Sequence, residues 1–388
     1  MKILNDPFLE WPFFDEKHRH FAMDLLAFVK THQKSLEADG VEEKTAVRQL
    51  ALLLGRGGWL RPLLPEWLGG PRPKVDTRTL CLTRDIIARY SGLADCTFAM
   101  QGLAAIPLVL FGTPEQQATY LPGLCDGNLI GAFCLSEAQA GSDVAALQTS
   151  AIREQDHYVL NGEKTWISNA GVAHCYIVFA RTGEAPGAKG LSAFIVNADT
   201  AGFSVPENLT MVAPHVIGRV SFKDCKIPLS ARLGGAGDGF KVAMSTLDIM
   251  RSTVGAAAVG FARRAMMETL IHTQNRQVFG QNLSAFQSTQ MRLADMAIEV
   301  DSAALLVYRA AWTKDTLRDR ITLEASMAKL QATEAAQRVI DSAVQLFGGL
   351  GVTAGSVTER LYREIRPLRI YEGASEIQKL IICAALLK

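Results

Sequence analysis

At 388 residues the chain can bury a large core and divide into two or three subdomains. Its 40 basic and 39 acidic residues leave a net charge of +1, which excludes a global electrostatic pull toward nucleic acid or an anionic membrane. The 48% hydrophobic fraction is high for a monomer and points to buried subunit contacts, while charged residues interrupt each apolar run, so no membrane span is expected.

The first six residues, Met1 to Asp6, lack a signal-peptide pattern, so cytoplasmic residence is the default expectation. Seven widely spaced cysteines without a CxxC pair argue for reduced thiols, not a disulfide framework or zinc ribbon. His18-Arg19-His20 has the wrong spacing for two ligands on one helical face; surface residues and no metal are expected there.

From about residue 13 to 125 the pattern is helical. Phe21, Met23, Leu25, Leu26, Phe28 and Val29 form a first apolar stripe. Gly69-Gly70-Pro71-Arg72-Pro73 breaks the chain before helices that include Leu80 to Tyr90 and the apolar run Phe98 to Phe111. Thr113-Pro114-Glu115-Gln116 reads as a helix start, with Thr113 as N-cap and Pro114 at the first helical position.

Between about 128 and 230 the period changes to two. Tyr158-Val159-Leu160, then Asn161-Gly162, then Lys164 to Ser168 predicts a hairpin with its turn at Asn-Gly. Further strands are expected at Cys175 to Ala180, Leu191 to Val196 and Arg219 to Phe222. Gly235 to Gly239 lacks the spacing of a dinucleotide fingerprint and reads as a turn. No Walker A motif is present, so a Rossmann or P-loop nucleotide site is not expected.

From Phe240 onward the chain is helical again, with Leu293, Met296, Val300, Ala304 and Val307 at helical spacing, as in a bundle. The expected architecture is α+β, mainly α: an N-terminal helical domain (1–127), a middle β-barrel or sheet domain (128–232) and a C-terminal helical bundle (233–388).

Near the C-terminus, Arg369-Ile370-Tyr371-Glu372-Gly373-Ala374-Ser375-Glu376-Ile377-Gln378 places one carboxylate, Glu372, on a short loop ahead of an apolar helix. Ser375 and Gln378 have capping-box spacing, and Ile377, Leu380, Ile381 and Ala384 share one helical face. An acid held between a glycine and a buried helix is what a proton-abstracting base requires.

Five motifs occur in order: Phe133 to Asp143 (FCLSEAQAGSD), Lys164 to Ser168 (KTWIS), Arg276 to Gly280 (RQVFG), Gln345 to Gly349 (QLFGG) and Tyr371-Glu372-Gly373. Together they resemble the acyl-CoA dehydrogenase family over almost the whole chain, whose C-terminal domain is a four-helix bundle. The resemblance implies FAD lying between the β domain and the C-terminal helices. Phe133, Leu135, Ser136, Trp166, Ile167 and Ser168 would surround the flavin ring, and the two serine hydroxyls would donate to it. Ser142 would lie near the CoA part of the substrate and the cofactor. Arg276, Phe279, Gln287, Gln345, Gly348 and Gly349 would reach the FAD of a neighbouring subunit, which implies a homo-oligomer, a tetramer or a dimer. Ser375 and Glu376 would complete the cofactor site, and Arg251, Tyr371 and Gly373 would contact substrate.

By the same resemblance Glu372 removes the α-proton of an acyl-CoA thioester while the β-hydrogen leaves as hydride to flavin N5, and an electron-transfer flavoprotein is the oxidant. Relatives that carry the base on another helix have it before the arginine matched by Arg251; here that residue is Met250, which cannot take a proton. The chain departs from the family in three places. Ser136-Glu137-Ala138 stands for Thr-Glu-Pro, Ala374 for a common threonine, and Met211 to Gly218 lacks the usual Gly-x-Arg-x-Ser pattern. Leu93-Ala94 stands where glutaryl-CoA relatives place an arginine, which favours a short, branched or cyclic acyl group over a dicarboxylyl one. A flavin oxidase or monooxygenase of the same fold, or a non-catalytic flavin-binding relative, are the alternatives.

Overall fold

The computed structural model describes residues 7–387. Helix α1 (Glu16–Thr31) opens the chain, followed by α2 (Gln33–Glu37), α3 (Glu43–Arg56), α4 (Thr77–Ala88), α5 (Gly92–Phe111) and α6 (Pro114–Asp126). The β segment contains β1 (Gly131–Cys134), β2 (Ser150–Glu154), β3 (His157–Ser168), β4 (Cys175–Arg181), β5 (Leu191–Asn197), β6 (Phe203–Asn208), β7 (Ile217–Pro228) and β8 (Arg232–Leu233). Helix α7 (Gly239–Asn275) follows, then the small β9 (Gln277–Val278) and β10 (Gln281–Asn282). The remaining helices are α8 (Gln287–Thr316), α9 (Thr322–Phe347), α10 (Val357–Ile365) and α11 (Ser375–Leu386).

The chain forms two compact units: 7–37, 77–95 and 251–387 make one, and Ala38–Asp76 with Cys96–Met250 make the other. The first unit is helical. Its helix α9 buries a row of small residues that includes Ala325, Ala328, Ala332, Ala335, Ala336 and Ala343. Small side chains let neighbouring helices approach closely, and α8, α10 and α11 all pack on α9. Among the polar groups buried in this unit is Asp85, which accepts from the Tyr308 hydroxyl at 2.7 Å and pairs with Arg89 at 2.8 Å. Arg263 lies 4.1 Å over the Phe8 ring, tying the start of the described chain to α7.

The second unit is built on an eight-stranded sheet ordered β6-β7-β3-β2-β4-β5-β8, with β1 parallel to β4. Strands β4 and β5 are buried along nearly their whole length, as their Val, Ile and Phe content requires.

Several sequence expectations hold locally. Thr113 caps α6 in a full capping box with Gln116, and Pro114 occupies the first turn. Met296, Val300, Ala304 and Val307 form the buried stripe of α8, while Leu293, expected with them, is only half-buried.

Others are corrected. Asn161-Gly162 is not a turn: β3 runs through it, and the hairpin turn lies at Gln155-Asp156 between β2 and β3. Gly162 has φ +142° and sits at a register shift against β7, where a Cβ would lie 2.7 Å from Thr149 Cα. The glycine therefore serves a bulge and a close backbone approach. Asn161 fastens that bulge by accepting from the Asp224 backbone N–H at 2.8 Å.

His18, expected on the surface, is fully buried and completes the cap of α1, its backbone N–H donating to Asp15 at 3.0 Å. Met23 is exposed, so the buried stripe of α1 is Ala22, Leu25 and Val29. Helix α5, charged only at Asp95 near its start, is long and apolar enough to cross a membrane; most of it is buried inside the protein.

Candidate active site

The turn that carries Glu372 is held by side chains. Arg251 donates from Nε to the Glu372 carbonyl at 3.3 Å, and Gln378 donates from Nε2 to the carbonyls of Glu372 (3.2 Å) and Gly373 (2.9 Å). The buried Lys329 ammonium donates to the Gly373 carbonyl at 2.9 Å. These clamps hold Glu372 at φ +53° and Gly373 at φ +94°. The positive φ is what requires glycine at position 373, and a Cβ there would also meet Gln378 Nε2 at 2.5 Å and push that amide aside.

The capping-box reading of α11 is corrected at this point. Ala374 is the N-cap with no side-chain cap bond, although the helix does begin at Ser375. Ser375 instead donates to Glu334 at 2.6 Å, and Glu334 also pairs with Arg369 at 2.9 Å. The Gln378 amide nitrogen is drawn back onto the turn carbonyls. The apolar face of α11 is not its buried face: Ser375 and Gln378 are buried, whereas Leu380 is 65% exposed.

The Glu372 carboxylate has one buried oxygen, Oε2, with no hydrogen-bond partner among the described residues. Burial raises its pKa, opposed by the cations Arg84, Arg251 and Lys329, and the net shift is upward. Lys329 is pulled down to about 8 by burial, against the attraction of Glu372. Arg84 is fully buried and spans Asp95 with two bonds, at 2.8 and 2.7 Å, and also donates to Thr253 at 3.1 Å. An acid with a desolvated oxygen that lacks a hydrogen-bond partner and a raised pKa has the properties that general-base chemistry requires. Met250 is fully buried and apolar, so no carboxylate stands at that position.

In the sheet unit the motif residues after β1 and those at the end of β3 meet. The ammonium of Lys164, fully buried, binds Glu137 at 2.8 Å and the Leu135 carbonyl at 3.1 Å. Glu137 also accepts from the backbone N–H of Gln148 (2.6 Å) and Thr149 (2.9 Å). Thr165 N–H donates to the Ser136 carbonyl at 3.0 Å. The loop after β1 is thereby fixed to β3, and Leu135, Ser136 and Trp166 share one corner. Pairing of β3 with β7 lapses between Lys164 and Ile167, and Trp166 adopts φ +55° there with its indole 53% exposed. Ile167 turns into the core, as does Phe133, whose ring packs on Phe179 at 4.8 Å. Ser168 shares a hydrogen bond with His215 Nε2 at 2.8 Å. A strained strand corner that presents an open indole, tied to the Ser136 backbone and two residues before Ser168, fits a flat conjugated ring. Gly141 and Ser142 are exposed on the loop that follows.

The remaining candidates lie at one end of the helical unit. Strands β9 and β10 form a hairpin whose turn residues, Phe279 and Gly280, both have positive φ, and Phe279 is 95% exposed. Arg276 and Gln287 flank this hairpin, both exposed. His272 stacks on Phe347 at 4.1 Å, which brings the hairpin's base to the C-terminal end of α9, where Gln345 lies in the last helical turn and Gly348 and Gly349 follow. Glu376 and Tyr371 are exposed beside Glu372 in sequence. Sequence reading passed over Lys329, the Gln378 clamp, the Arg84–Asp95 pair and His215, whose partners are distant along the chain. Among the described residues no cluster of three or more potential metal ligands occurs, and the seven cysteines are unbridged.

Comparison with known proteins agrees along the whole chain. Residues 15–128, 132–225 and 237–387 match the N-terminal, middle and C-terminal domain models of acyl-CoA dehydrogenases. The probable acyl-CoA dehydrogenase YngJ of Bacillus subtilis is 40% identical over 86% of this chain and 88% of its own length. The human mitochondrial short-chain specific acyl-CoA dehydrogenase is 39% identical, over 86% of this chain and 81% of its own. The structure of butyryl-CoA dehydrogenase from Megasphaera elsdenii superposes with a TM-score of 0.89 at 32% identity, covering 97% of this chain and 99% of that one. The family's FAD-binding oxidoreductase fold is the one built here, and this chain belongs to the acyl-CoA dehydrogenase family.

Proposed function

We propose that the protein dehydrogenates a short-chain acyl-CoA thioester between Cα and Cβ, with Glu372 as the base and FAD as the cofactor. The observation that carries this reading is the buried, unpartnered Oε2 of Glu372 on a clamped left-handed turn. Bound FAD supplies the acceptor for the β-hydride. The protein's own part is to remove the α-proton and to keep water away. Burial of Oε2 weakens its solvation and makes it a stronger base than an exposed glutamate, while Arg84, Arg251 and Lys329 keep enough of it ionised to act. The clamps on the carbonyls of Glu372 and Gly373 fix the two peptide planes that follow the base, so its side chain projects from a rigid turn.

FAD would be held by Leu135, Ser136, Trp166 and Ser168 of the sheet unit, with the Ile167 and Phe133 side chains supporting from the core. The hairpin around Phe279 and the turn at Gly348-Gly349 would serve a neighbouring subunit's FAD. The nearly complete exposure of Phe279 and the exposure of Leu380 support a homo-oligomer. A short acyl group is favoured because short-chain and butyryl-CoA enzymes are among the relatives and no arginine stands at Leu93-Ala94. An electron-transfer flavoprotein is the proposed oxidant.

The test is anaerobic titration of the FAD-loaded protein with butyryl-, isobutyryl-, cyclohexanoyl-, octanoyl- and glutaryl-CoA. Bleaching of the flavin by a short thioester is expected. The Glu372→Gln protein is expected to bind the same thioester without bleaching; bleaching at the normal rate would remove Glu372 from the mechanism.

A further inference from the structure

The segment that departs from the family pattern, Met211 to Gly218, contributes a residue to the sheet corner. His215 lies between Cys96 and Ser168: its Nδ1 is 3.2 Å from Cys96 Sγ and its Nε2 is 2.8 Å from Ser168 Oγ. All three belong to the sheet unit, so the chain of contacts is internal to one compact body. Burial pushes the His215 pKa down to about 4, so the ring is neutral near pH 7 and carries one N–H.

Two proton arrangements fit these distances. In one, Ser168 donates to Nε2 and Nδ1–H points at sulfur. The hydroxyl has then spent its only proton, and the ring's N–H meets a weak acceptor. In the other, the thiol donates to Nδ1, Nε2–H donates to Ser168 Oγ, and the Ser168 proton remains free to donate outward. The second arrangement uses every donor in the chain once an acceptor faces Ser168, and buried polar groups favour full satisfaction.

We propose that His215 is a positioning residue for Ser168: Cys96 fixes its Nε2–H tautomer, and that N–H turns the Ser168 hydroxyl proton toward the edge of the flavin ring. This rests on the placement of FAD at Ser168 made under Proposed function. The roles are orientational, and no covalent bond changes. His215 acts on the cofactor as an outer ligand acts on a metal, by setting the direction of the group that makes contact.

The wild-type protein with ¹⁵N-labelled histidine gives the first test, in both the FAD-free and the FAD-loaded form. Long-range ¹H–¹⁵N spectra are expected to report an Nε2–H tautomer for His215; an Nδ1–H tautomer in the loaded form would overturn the assignment. The second test compares His215→Gln, whose amide N–H can replace Nε2–H, with His215→Met, which cannot donate. His215→Met is expected to make the flavin midpoint potential more negative and to slow anaerobic flavin reduction about 10-fold with unchanged thioester affinity, while His215→Gln stays near wild type. Equal potentials in wild type and His215→Met would overturn it. Ser168→Ala separates this idea from the reading beneath it. If it shifts the potential while His215→Met does not, only the role of His215 is lost. If it leaves both potential and flavin spectrum unmoved, the placement of FAD at Ser168 fails, and the proposal with it.

Discussion

Trp166 and Glu372 are both bulky residues in the left-handed region, at φ +55° and +53°, and they reach it by different means. Trp166 is forced there by a lapse in strand pairing, with ladder bonds resuming at Ile167 opposite Gly218. Glu372 is forced there by side chains, since Arg251 and Gln378 grip its carbonyl and Lys329 that of Gly373. A ladder distributes strain over many backbone bonds, whereas a clamp concentrates it in a few replaceable groups. The aromatic corner should therefore tolerate substitution better than the acid turn. Each turn also has its own electrostatics: an open, uncharged indole at one, and an acid ringed by three cations at the other.

The largest effect is expected at the acid. Glu372→Gln keeps the shape but removes the base, and kcat/KM should fall about 10⁴-fold in a stopped-flow assay of flavin bleaching. Next comes the support of the aromatic corner. Glu137→Gln leaves the Lys164 ammonium buried without its counter-charge, and urea denaturation should register a loss of about 3 kcal/mol. An unchanged midpoint would mean that the Ser136–Trp166 corner does not depend on that pair.

Smaller, and diagnostic of the clamp, is Lys329→Met. It removes a bond to the Gly373 carbonyl and a charge that favours the Glu372 carboxylate, so activity should drop about 30-fold. The sign on pH follows directly. Without the ammonium the Glu372 pKa rises further, so the acid limb of the kcat/KM profile moves to higher pH. Because the Lys329 pKa is about 8, wild type loses the same charge above that pH, and the electrostatic part of the difference should shrink there. A limb at the wild-type position would refute the coupling. Smallest is Trp166→Gly: the positive φ becomes free of strain while apolar contact is lost, so stability of the FAD-free protein should change by less than about 1 kcal/mol. The same variant should retain less FAD after gel filtration.

Much of this was legible in the sequence where the signal is local. Thr113-Pro114 with Gln116 specifies a helix start from four adjacent residues, and the period-two runs at Cys175 and Leu191 specify strands. Local signals fail where a distant backbone decides. Asn161-Gly162 has hairpin chemistry, but Thr149, just ahead of the neighbouring β2, needs a residue without a Cβ, so the glycine serves a bulge. Ser375 and Gln378 have capping-box spacing, but Glu334, 41 residues earlier, takes the serine hydroxyl. His215 was unreadable for the same reason, because Cys96 and Ser168 lie 119 and 47 residues away. Glu372 was singled out by its motif, but its orphaned oxygen and surrounding cations come from α4, α7 and α9 and needed the fold.

The grip of Gln378 on Gly373 also shapes how this segment can drift over generations. Any side chain at 373 must displace the amide that holds the carbonyls of both 372 and 373, so the first methyl added there disturbs two hydrogen bonds at once. Position 374 carries no such burden: its alanine caps α11 with the backbone alone. A saturation library across the turn should return glycine alone at one position and a broad spectrum at the next, a sharp boundary drawn by a single glutamine.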